Sequence, residues 1–335
     1  MPMTKPDSHL NLIHHDPTGQ VDLYQTDDRY YALLEKRFGS RFVEYRRRWA
    51  QASSRSQADE FPLSLDLAIN SGCQLSCLMC PLQSRPEGRK VRLMDGSLFE
   101  NLMRQAEEHE LPALTIGLGS EPLLHPKAAE FTARAVRAGI MDIRLGTNGL
   151  LLNEAASEAL IESGLTRLEI SVDADSAETY RRIRGGDFNK LVQAIELFLA
   201  KRNLANTPFP LLRLSFLTLD LNRTEETGFL QRWQGLADLI SIQKPIWFPG
   251  SKLPKPEQRG CSISASCAQS WQRLAVNFNG QVWPCCSWNG DKLLPHNAFT
   301  DSLKSIWQSR EMTALRKALS GPARNMPPAC LACEY

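Results

Sequence analysis

Six short apolar runs that alternate with helical stretches constrain the fold of this chain most strongly. In residues 63–69, apolar side chains alternate with smaller or polar ones, which is the two-residue period of a strand with one apolar face. Between two of the runs, residues 188–199 carry apolar side chains at helical spacing. The other five runs lie at 114–118, 143–148, 168–173, 212–218 and 239–244. Strands that alternate with helices pair in parallel through right-handed crossovers, so the sequence predicts an α/β fold with a partial (β/α)6 TIM-like barrel.

The flanking segments differ from the barrel in composition. The chain has 335 residues, about twice the usual length of one domain, which favours one large barrel or two to three modules. Residues 1–60 are polar, with apolar residues at partly helical spacing, and end in a small, polar stretch at 52–60. Six of the nine cysteines follow Gly260. We therefore expect a helical N-terminal extension over 1–60, the barrel over 61–255 and a small C-terminal module over 256–335.

The overall composition excludes several classes of protein. No apolar run reaches the roughly 18 residues that cross a bilayer, and no apolar segment near the N-terminus indicates a secretory signal, so we expect a cytoplasmic protein without membrane contact. A net charge of +2 gives little reason to expect nucleic acid. Nine cysteines are too few, and odd in number, for a disulfide scaffold in a chain this long. Their clustering indicates metal binding instead.

The predicted strands leave an unusually polar set of residues for the barrel interior. Ordinary closed barrels fill their interior with branched apolar side chains, because buried unpaired charges cost several kcal/mol. The interior set therefore either pairs internally or surrounds a polar ligand. It comprises Asp66, Thr115, Arg144, Asn148, Glu169, Ser171, Asp173, Arg213 and Ser215. Four of these are our candidates for contacts with a substrate: Arg144, Glu169, Arg213 and Ser215.

Three cysteines follow the first predicted strand, where barrel enzymes place active-site loops. Cys73, Cys77 and Cys80 form a C-x3-C-x2-C motif. Three thiolates from one loop can hold three corners of a [4Fe–4S] cluster, whereas tetrahedral zinc needs four ligands. The fourth iron would then be open to the amino and carboxylate groups of S-adenosylmethionine. The alternatives are three unrelated core cysteines or a zinc site with a distant fourth ligand.

This motif and the segments that follow it resemble the radical S-adenosylmethionine (SAM) superfamily over most of residues 61–335. Gly119-Ser120-Glu121-Pro122 is similar to the family's Gly-Gly-Glu-Pro segment, in which the carboxylate and backbone receive the methionine amino group. Ser120 replaces the second glycine, which requires a backbone conformation open to a residue with a Cβ.

The resemblance also implies further contacts with the cofactor. Asn148, Ser171 and Asp173 end the third and fourth strands, where relatives contact the ribose and methionine parts. Arg184 resembles the basic residue that meets the cofactor carboxylate, and a solvated surface arginine is the alternative. Met79 stands where many relatives have an aromatic residue before the last cysteine.

A second set of cysteines lies in the C-terminal module. Cys267 and Cys285 flank Asn279-Gly280, which predicts the turn of a β-hairpin between residues 275–278 and 281–283. Cys330 and Cys333 near the C-terminus can complete a four-thiolate site. Spacing alone also allows a zinc ribbon. Beside a radical SAM barrel, the module resembles the SPASM/Twitch extension, whose full form has seven cysteines. Four placed candidates favour the shorter Twitch-like form with one auxiliary [4Fe–4S] cluster.

Two cysteines remain outside both ligand sets. Cys286 directly follows a predicted ligand, and we expect it to be a small buried thiol. Cys261 lies between the barrel and the C-terminal module, where a thiol could face a substrate. We take Cys261 as the candidate catalytic residue, with a plain linker cysteine as the alternative.

The resemblance implies radical chemistry on a C–H bond, started by reductive cleavage of S-adenosylmethionine with electrons from a donor such as flavodoxin or ferredoxin. The polar interior favours a polar small-molecule substrate, and we expect an oxidoreductase (dehydrogenase) or epimerase that acts on a sugar or aminocyclitol-like molecule. The first alternative is radical modification of a ribosomal peptide or protein by crosslinking, epimerisation or oxidation. A remote alternative is a non-catalytic iron–sulfur or zinc protein.

Overall fold

A single mixed sheet forms the centre of the computed structural model, which describes residues 11–15, 21–25, 29–55, 57–84, 90–248, 250–254, 267–287, 290, 292–322, 325–331 and 333. Its strand order in these residues is β1-β2-β8-β7-β6-β5-β4-β3-β9-β10. The strands are β1 (Asn11–His15), β2 (Val21–Gln25), β3 (Ser64–Leu67), β4 (Ala113–Ile116), β5 (Asp142–Thr147), β6 (Arg167–Ser171), β7 (Leu211–Leu217), β8 (Leu239–Gln243), β9 (Arg273–Val276) and β10 (Val282–Trp283).

The six central strands, β3 to β8, are parallel and adjacent in chain order. They coincide with the six predicted runs, so the partial (β/α)6 barrel is confirmed. Helices connect the strands on the outer face: α3 (Gly96–Glu108), α4 (Ala128–Arg137), α5 (Glu154–Glu162), α6 (Ala177–Arg184), α7 (Phe188–Leu204) and α8 (Glu226–Trp233). The apolar residues of each strand are buried beneath these helices, as Leu65 and Leu67 of β3 illustrate.

The N-terminal segment is only partly helical. The prediction holds for α1 (Arg29–Phe38) and α2 (Ser40–Ser53). Residues 11–25 instead form an antiparallel hairpin, and β2 of this hairpin pairs with β8. The physical reason is that the edge of β8 presents unpaired backbone groups, which a strand satisfies and a helix cannot. The alternation in Val21-Asp22-Leu23-Tyr24 is the local signal for this strand.

Helices α1 and α2 cross the end of the barrel where its strands begin. Arg37 donates from Nη2 to the carbonyl oxygen of Gly164 before β6 at 3.5 Å, and Arg41 donates from Nη2 to that of Gly139 before β5 at 3.2 Å. Trp49 of α2 lies against the guanidinium of Arg273, with 5.1 Å between ring centre and Cζ. These contacts close the amino end, so the loops at the carboxyl ends of the strands form the accessible mouth.

The C-terminal segment continues the same sheet. Strand β9 pairs in parallel with β3, and β9 and β10 form the predicted hairpin, in which Gly280 adopts φ +80°. Its helices are α9 (Gln269–Gln272), α10 (Leu303–Trp307), α11 (Arg310–Ser320) and α12 (Pro328–Leu331). Because one sheet runs through all three predicted segments, their division at residues 60 and 255 stays a prediction. Among the described helices, none combines the length and apolar character that a membrane span needs.

Candidate cluster and cofactor site

The first three cysteines lie together in the loop after β3, at the open mouth of the barrel. Each of the three side chains is partly buried, and none of them forms a disulfide bond among the described residues. The backbone N–H of Leu75 lies 3.4 Å from Cys73 Sγ, and Asn148 Nδ2 lies 3.6 Å from the same sulfur. Leu78 donates its N–H to the carbonyl oxygen of Ile183 at 2.9 Å, which fastens the loop to the end of α6. One short loop therefore presents three thiols with polar donors beside the first of them.

Burial alters the acidity of these thiols. It raises the pKa of Cys73 to about 11 and also raises the pKa of Cys77 above its ordinary value. A metal that bound these cysteines would ligate their thiolates and displace the protons that burial favours.

A buried asparagine connects this loop to the segment that resembles the Gly-Gly-Glu-Pro motif. Asn70 Nδ2 donates to the carbonyl oxygen of Glu121 at 2.8 Å, and Asn70 Oδ1 accepts the N–H of Gly72 at 2.8 Å. Glu121 in turn donates its N–H to the carbonyl oxygen of Gly72 at 2.8 Å. Three hydrogen bonds thus fix the spacing between the thiol loop and residues 119–122. The sequence analysis did not single out Asn70.

The carboxylate of Glu121 is buried and engaged within the protein. It accepts Thr147 Oγ1 at 2.7 Å and the N–H groups of Asn148 at 2.8 Å and Leu123 at 3.0 Å. Burial raises its pKa despite these donors. The resemblance implied direct contact of this carboxylate with the methionine amino group. Its geometry makes Glu121 a cross-link between two strand-end loops, and its contact with the amino group stays a prediction.

Ser120 directly precedes Glu121, and its side chain carries a hydroxyl group. Its Oγ is buried and has no hydrogen-bond partner among the described residues. Gly119 adopts φ +61°, whereas the described non-glycine residues with positive φ do not include Ser120, so the Cβ at this position is tolerated as expected. A buried hydroxyl without a partner is what a missing ligand group would satisfy. The residues therefore fit a polar ligand beside the thiol loop.

The remaining predicted cofactor residues line the same mouth. Asp173 and Arg184 form a buried ion pair with 2.7 Å between Oδ2 and Nη2, so the solvated alternative for Arg184 is wrong. Burial opposes the charge on Arg184, but Asp173 outweighs burial and raises its pKa. Ser171 ends β6, and Met79 is partly buried in the thiol loop. Asp173 adopts φ +60° and accepts the N–H of Leu217 at 2.7 Å, which links β6 to β7.

Asn148 has a partner that the sequence analysis missed. Gln74 Nε2 donates to Asn148 Oδ1 at 3.0 Å, and Asn148 Nδ2 donates to Gln74 Oε1 at 3.2 Å. Gln74 directly follows Cys73, which is the only signal in the sequence that could have singled it out. This reciprocal amide pair holds the third strand end against the thiol loop.

The four C-terminal candidates come from three separate elements. Cys267 precedes α9, Cys285 follows β10, and Cys330 and Cys333 lie in and after α12. Their thiols interact electrostatically with one another, since Cys267 and Cys333 both act on Cys285 and Cys330. Burial raises the pKa of Cys330 to about 12. The four thiols therefore lie in one region, and their joint ligation of one metal centre stays a prediction.

Cys286 lies beside this set, since it interacts electrostatically with Cys285 and Cys267. Its thiol lies 3.7 Å from Gln269 Oε1, and burial raises its pKa to about 11. Its charged neighbours are Arg273 of β9, Asp66 of β3 and Arg144 of β5, so it lies between the auxiliary thiols and the barrel. We expected a small buried thiol, and the Cys286 side chain is partly buried. Cys261 lies outside the described residues, and its catalytic role stays a prediction.

The polar residues of the barrel interior pair with one another. Arg144 Nη1 donates to Glu169 Oε2 at 3.0 Å, Arg213 Nη1 lies 3.7 Å from the same oxygen, and Arg273 Nη1 donates to Asp66 Oδ2 at 2.9 Å. Burial opposes ionisation of Glu169, but the guanidinium groups of Arg213 and Arg144 outweigh it and lower its pKa. Internal pairing, one of the two sequence-based alternatives, therefore accounts for most of this set.

Fold and site together define an enzyme that uses S-adenosylmethionine and iron–sulfur clusters. Residues 67–208 match the Radical SAM superfamily, and residues 267–334 match the SPASM family, described as an iron–sulfur cluster-binding domain. The chain therefore contains a Radical SAM domain and a C-terminal SPASM domain. Its cofactors are S-adenosylmethionine and [4Fe–4S] clusters.

Named relatives share only part of their length with this chain. A probable GTP 3',8-cyclase of Methanococcus vannielii is 31% identical over 179 residues, which cover 53% of this chain and 57% of the relative. A GTP 3',8-cyclase of Limosilactobacillus fermentum is 33% identical over 132 residues, or 38% of this chain and 39% of the relative. The chain thus spans about half the length, or less, of these curated relatives.

Solved structures match over more of the chain. BtrN in complex with AdoMet and 2-DOIA has a TM-score of 0.58 at 18% identity, covering 83% of this chain and 94% of BtrN. Streptococcus suis SuiB bound to precursor peptide SuiA has a TM-score of 0.64 at 16% identity, covering 87% of this chain and 74% of SuiB. These similarities confirm the fold.

Proposed function

We propose that Cys73, Cys77 and Cys80 hold a [4Fe–4S] cluster whose open iron binds S-adenosylmethionine, and that the enzyme acts on a C–H bond of a polar small molecule. The observation that carries this proposal is the link between the thiol loop and residues 119–122. Asn70 ties the two loops together, and the unpartnered Ser120 hydroxyl lies beside them. When bound, the cluster and S-adenosylmethionine supply a 5'-deoxyadenosyl radical.

The residues at the mouth then have separate tasks. Ser120 and the backbone of Gly119 receive the methionine part of the cofactor, and Ser171 contacts its polar groups at the end of β6. Glu121 and Asn148 position these loops, since their side chains already bond to Thr147 and Gln74. Arg184 keeps its charge because Asp173 stabilises it, so its guanidinium can also interact with the cofactor carboxylate. Met79 packs beside the cluster loop.

Cys267, Cys285, Cys330 and Cys333 hold one auxiliary [4Fe–4S] cluster, as in the Twitch-like form. The cluster supplies a one-electron acceptor when bound, which suits oxidation of the substrate. We place oxidation ahead of epimerisation because four thiols support the acceptor, whereas a returning hydrogen atom depends on Cys261 alone. A flavodoxin or ferredoxin is the proposed electron donor to the first cluster.

A sugar or aminocyclitol-like molecule is the substrate class that we favour. The described fold accounts for 94% of BtrN, which was solved with the small molecule 2-DOIA, and the barrel interior is polar. The second candidate is peptide modification, which the TM-score of 0.64 with peptide-bound SuiB supports.

The experiment measures 5'-deoxyadenosine. Anaerobically reconstituted protein, mixed with dithionite and S-adenosylmethionine, should form it even without substrate, and the Cys73→Ala/Cys77→Ala/Cys80→Ala variant should form none. Equal formation by both proteins would refute the proposal.

The outcome of the reaction needs a second measurement, on the product. If Cys261 returns hydrogen, product made in D2O carries one deuterium and Cys261→Ala loses the inverted product. If the enzyme oxidises its substrate, Cys261→Ala keeps turnover and loss of the auxiliary cysteines abolishes it.

A further inference from the structure

The middle of the barrel interior carries more positive than negative charge. Arg144 of β5, Glu169 of β6 and Arg213 of β7 lie on adjacent strands, and the one carboxylate serves both guanidinium groups. Arg213 also donates from Nε to Ser241 Oγ at 3.1 Å. The Arg144 side chain remains 34% exposed, against 18% for Arg213. We call these three residues, Arg144, Glu169 and Arg213, the charged row. The row carries a surplus of one positive charge, and Arg144 is its most exposed member.

Neither cluster site accounts for this surplus. The cations that act on the auxiliary ligand Cys267 are Arg55 and Arg273. The charged side chains that act on Cys77 are Arg184 and Asp173, which neutralise each other. Arg167, the remaining cation near Glu169, pairs with Asp142. Among the described residues, Arg144 forms a hydrogen bond only with Glu169. Its other N–H groups are available to a ligand.

A second, independent observation concerns Asp66 on the same face of the sheet. Asp66 is 1% exposed, and although Oδ2 accepts Arg273, Oδ1 has no hydrogen-bond partner among the described residues. Asp66 pairs in register with Thr115, which pairs with Arg144, so the two charged residues are two strand spacings apart, or roughly 10 Å. The Cys286 thiol interacts electrostatically with Asp66 and with Arg144. A buried carboxylate oxygen without a donor indicates a missing hydroxyl, ammonium or water.

We propose that this row is an anion subsite, in which Arg144 binds a carboxylate or phosphate of the substrate while Asp66 Oδ1 accepts a hydroxyl or ammonium group of the same molecule. The proposal rests on the proposed function and deepens it. The substrate class becomes an acidic, hydroxylated or aminated small molecule rather than a neutral one. Arg213 and Glu169 hold Arg144 in place, and Glu169 competes with the bound anion for it.

The test measures anion binding by calorimetry on anaerobically reconstituted protein at constant ionic strength. The probes are inorganic phosphate and glucuronate, and at least one should bind saturably. Arg144→Gln should weaken that binding about tenfold or more, because it removes a charge-assisted pair. Glu169→Gln should strengthen it, because it frees two guanidinium groups. Arg47→Gln, on the outer face of α2, should leave it unchanged.

Further arms separate the sources of the anion and the role of Asp66. Preference for phosphate assigns a phosphorylated substrate, and preference for glucuronate assigns a carboxylate. Asp66→Asn should weaken the binding of glucuronate more than that of phosphate, because inorganic phosphate is too small to contact both Arg144 and Asp66. A purely structural row would lower the unfolding temperature of Arg144→Gln and Glu169→Gln without moving affinity in opposite directions, which would overturn the proposal. Absence of saturable binding by both probes would overturn it too.

The same preparation is assayed for 5'-deoxyadenosine, which separates the two proposals. Cofactor cleavage without anion binding means that the subsite fails and the proposed function stands. Anion binding without cofactor cleavage means that the subsite stands and the proposed function fails.

Discussion

The two thiol sites of this chain are built in opposite ways. The first takes all three cysteines from one loop of eight residues, Cys73 to Cys80, and that loop is fixed by Asn70, Ile183 and the strand ends around it. The second gathers Cys267, before α9, with Cys333, 66 residues further along the chain. Contacts that span a long segment cost more conformational entropy to form. We therefore expect the barrel to prepare its proposed site without iron, and iron to help hold the proposed C-terminal site together.

The largest effect should come from removing ligands at each site in turn. We expect about eight iron atoms per reconstituted chain, and Cys330→Ala/Cys333→Ala and the triple variant at Cys73, Cys77 and Cys80 should each keep about four. Only the C-terminal variant should become sensitive to limited proteolysis within residues 292–322, because its cluster also joins distant elements. Iron analysis and mass spectrometry of the fragments check both statements. Equal protease resistance of the two variants would break the contrast between the sites.

A smaller effect should follow from Asn70→Ala, which tests whether the barrel prepares the first site. This change leaves the carbonyl of Glu121 and the N–H of Gly72 without their buried partner, at a cost of about 1–3 kcal/mol for each group. Affinity for S-adenosylmethionine should fall, while the auxiliary iron stays. Equilibrium dialysis and urea unfolding measure the two quantities. Asn189→Ala, on the exposed surface of α7, is the matched control, and equal behaviour of the two variants would contradict the role of Asn70.

The smallest effect should come from Gly290→Ala, which sharpens the comparison at the second site. A Cβ on Gly290 would lie 2.7 Å from Cys285 Sγ, so the ligand must shift. We expect a destabilisation of about 1–3 kcal/mol and an altered spectrum of the auxiliary cluster alone. Electron paramagnetic resonance of the reduced protein measures the second effect. Gly96→Ala, where a Cβ meets nothing within 4 Å, should change neither property. A changed signal of the first cluster would show that the two sites are coupled.

Features with local signals were predictable from the sequence. The six barrel strands, the turn at Gly280 and the spacing of the cluster cysteines each depend on neighbouring residues. The pairing of β2 with β8 joins segments more than 200 residues apart, and no local pattern encodes that choice of partner. Asn70 and Gln74 were missed because polar residues at strand ends look like ordinary turn residues. The pairing of Asp173 with Arg184 depends on a turn with φ +60° that the sequence alone does not specify.

The central claim is that only the first site leaves an iron open to S-adenosylmethionine. Electron paramagnetic resonance of reduced single-site variants, with and without S-adenosylmethionine, tests it most directly. In the Cys330→Ala/Cys333→Ala variant, where only the first cluster remains, adding S-adenosylmethionine should change the signal. In the triple variant at Cys73, Cys77 and Cys80, the auxiliary signal should remain unchanged. A signal that responds in the triple variant, or one that fails to respond in the C-terminal variant, would contradict the assignment.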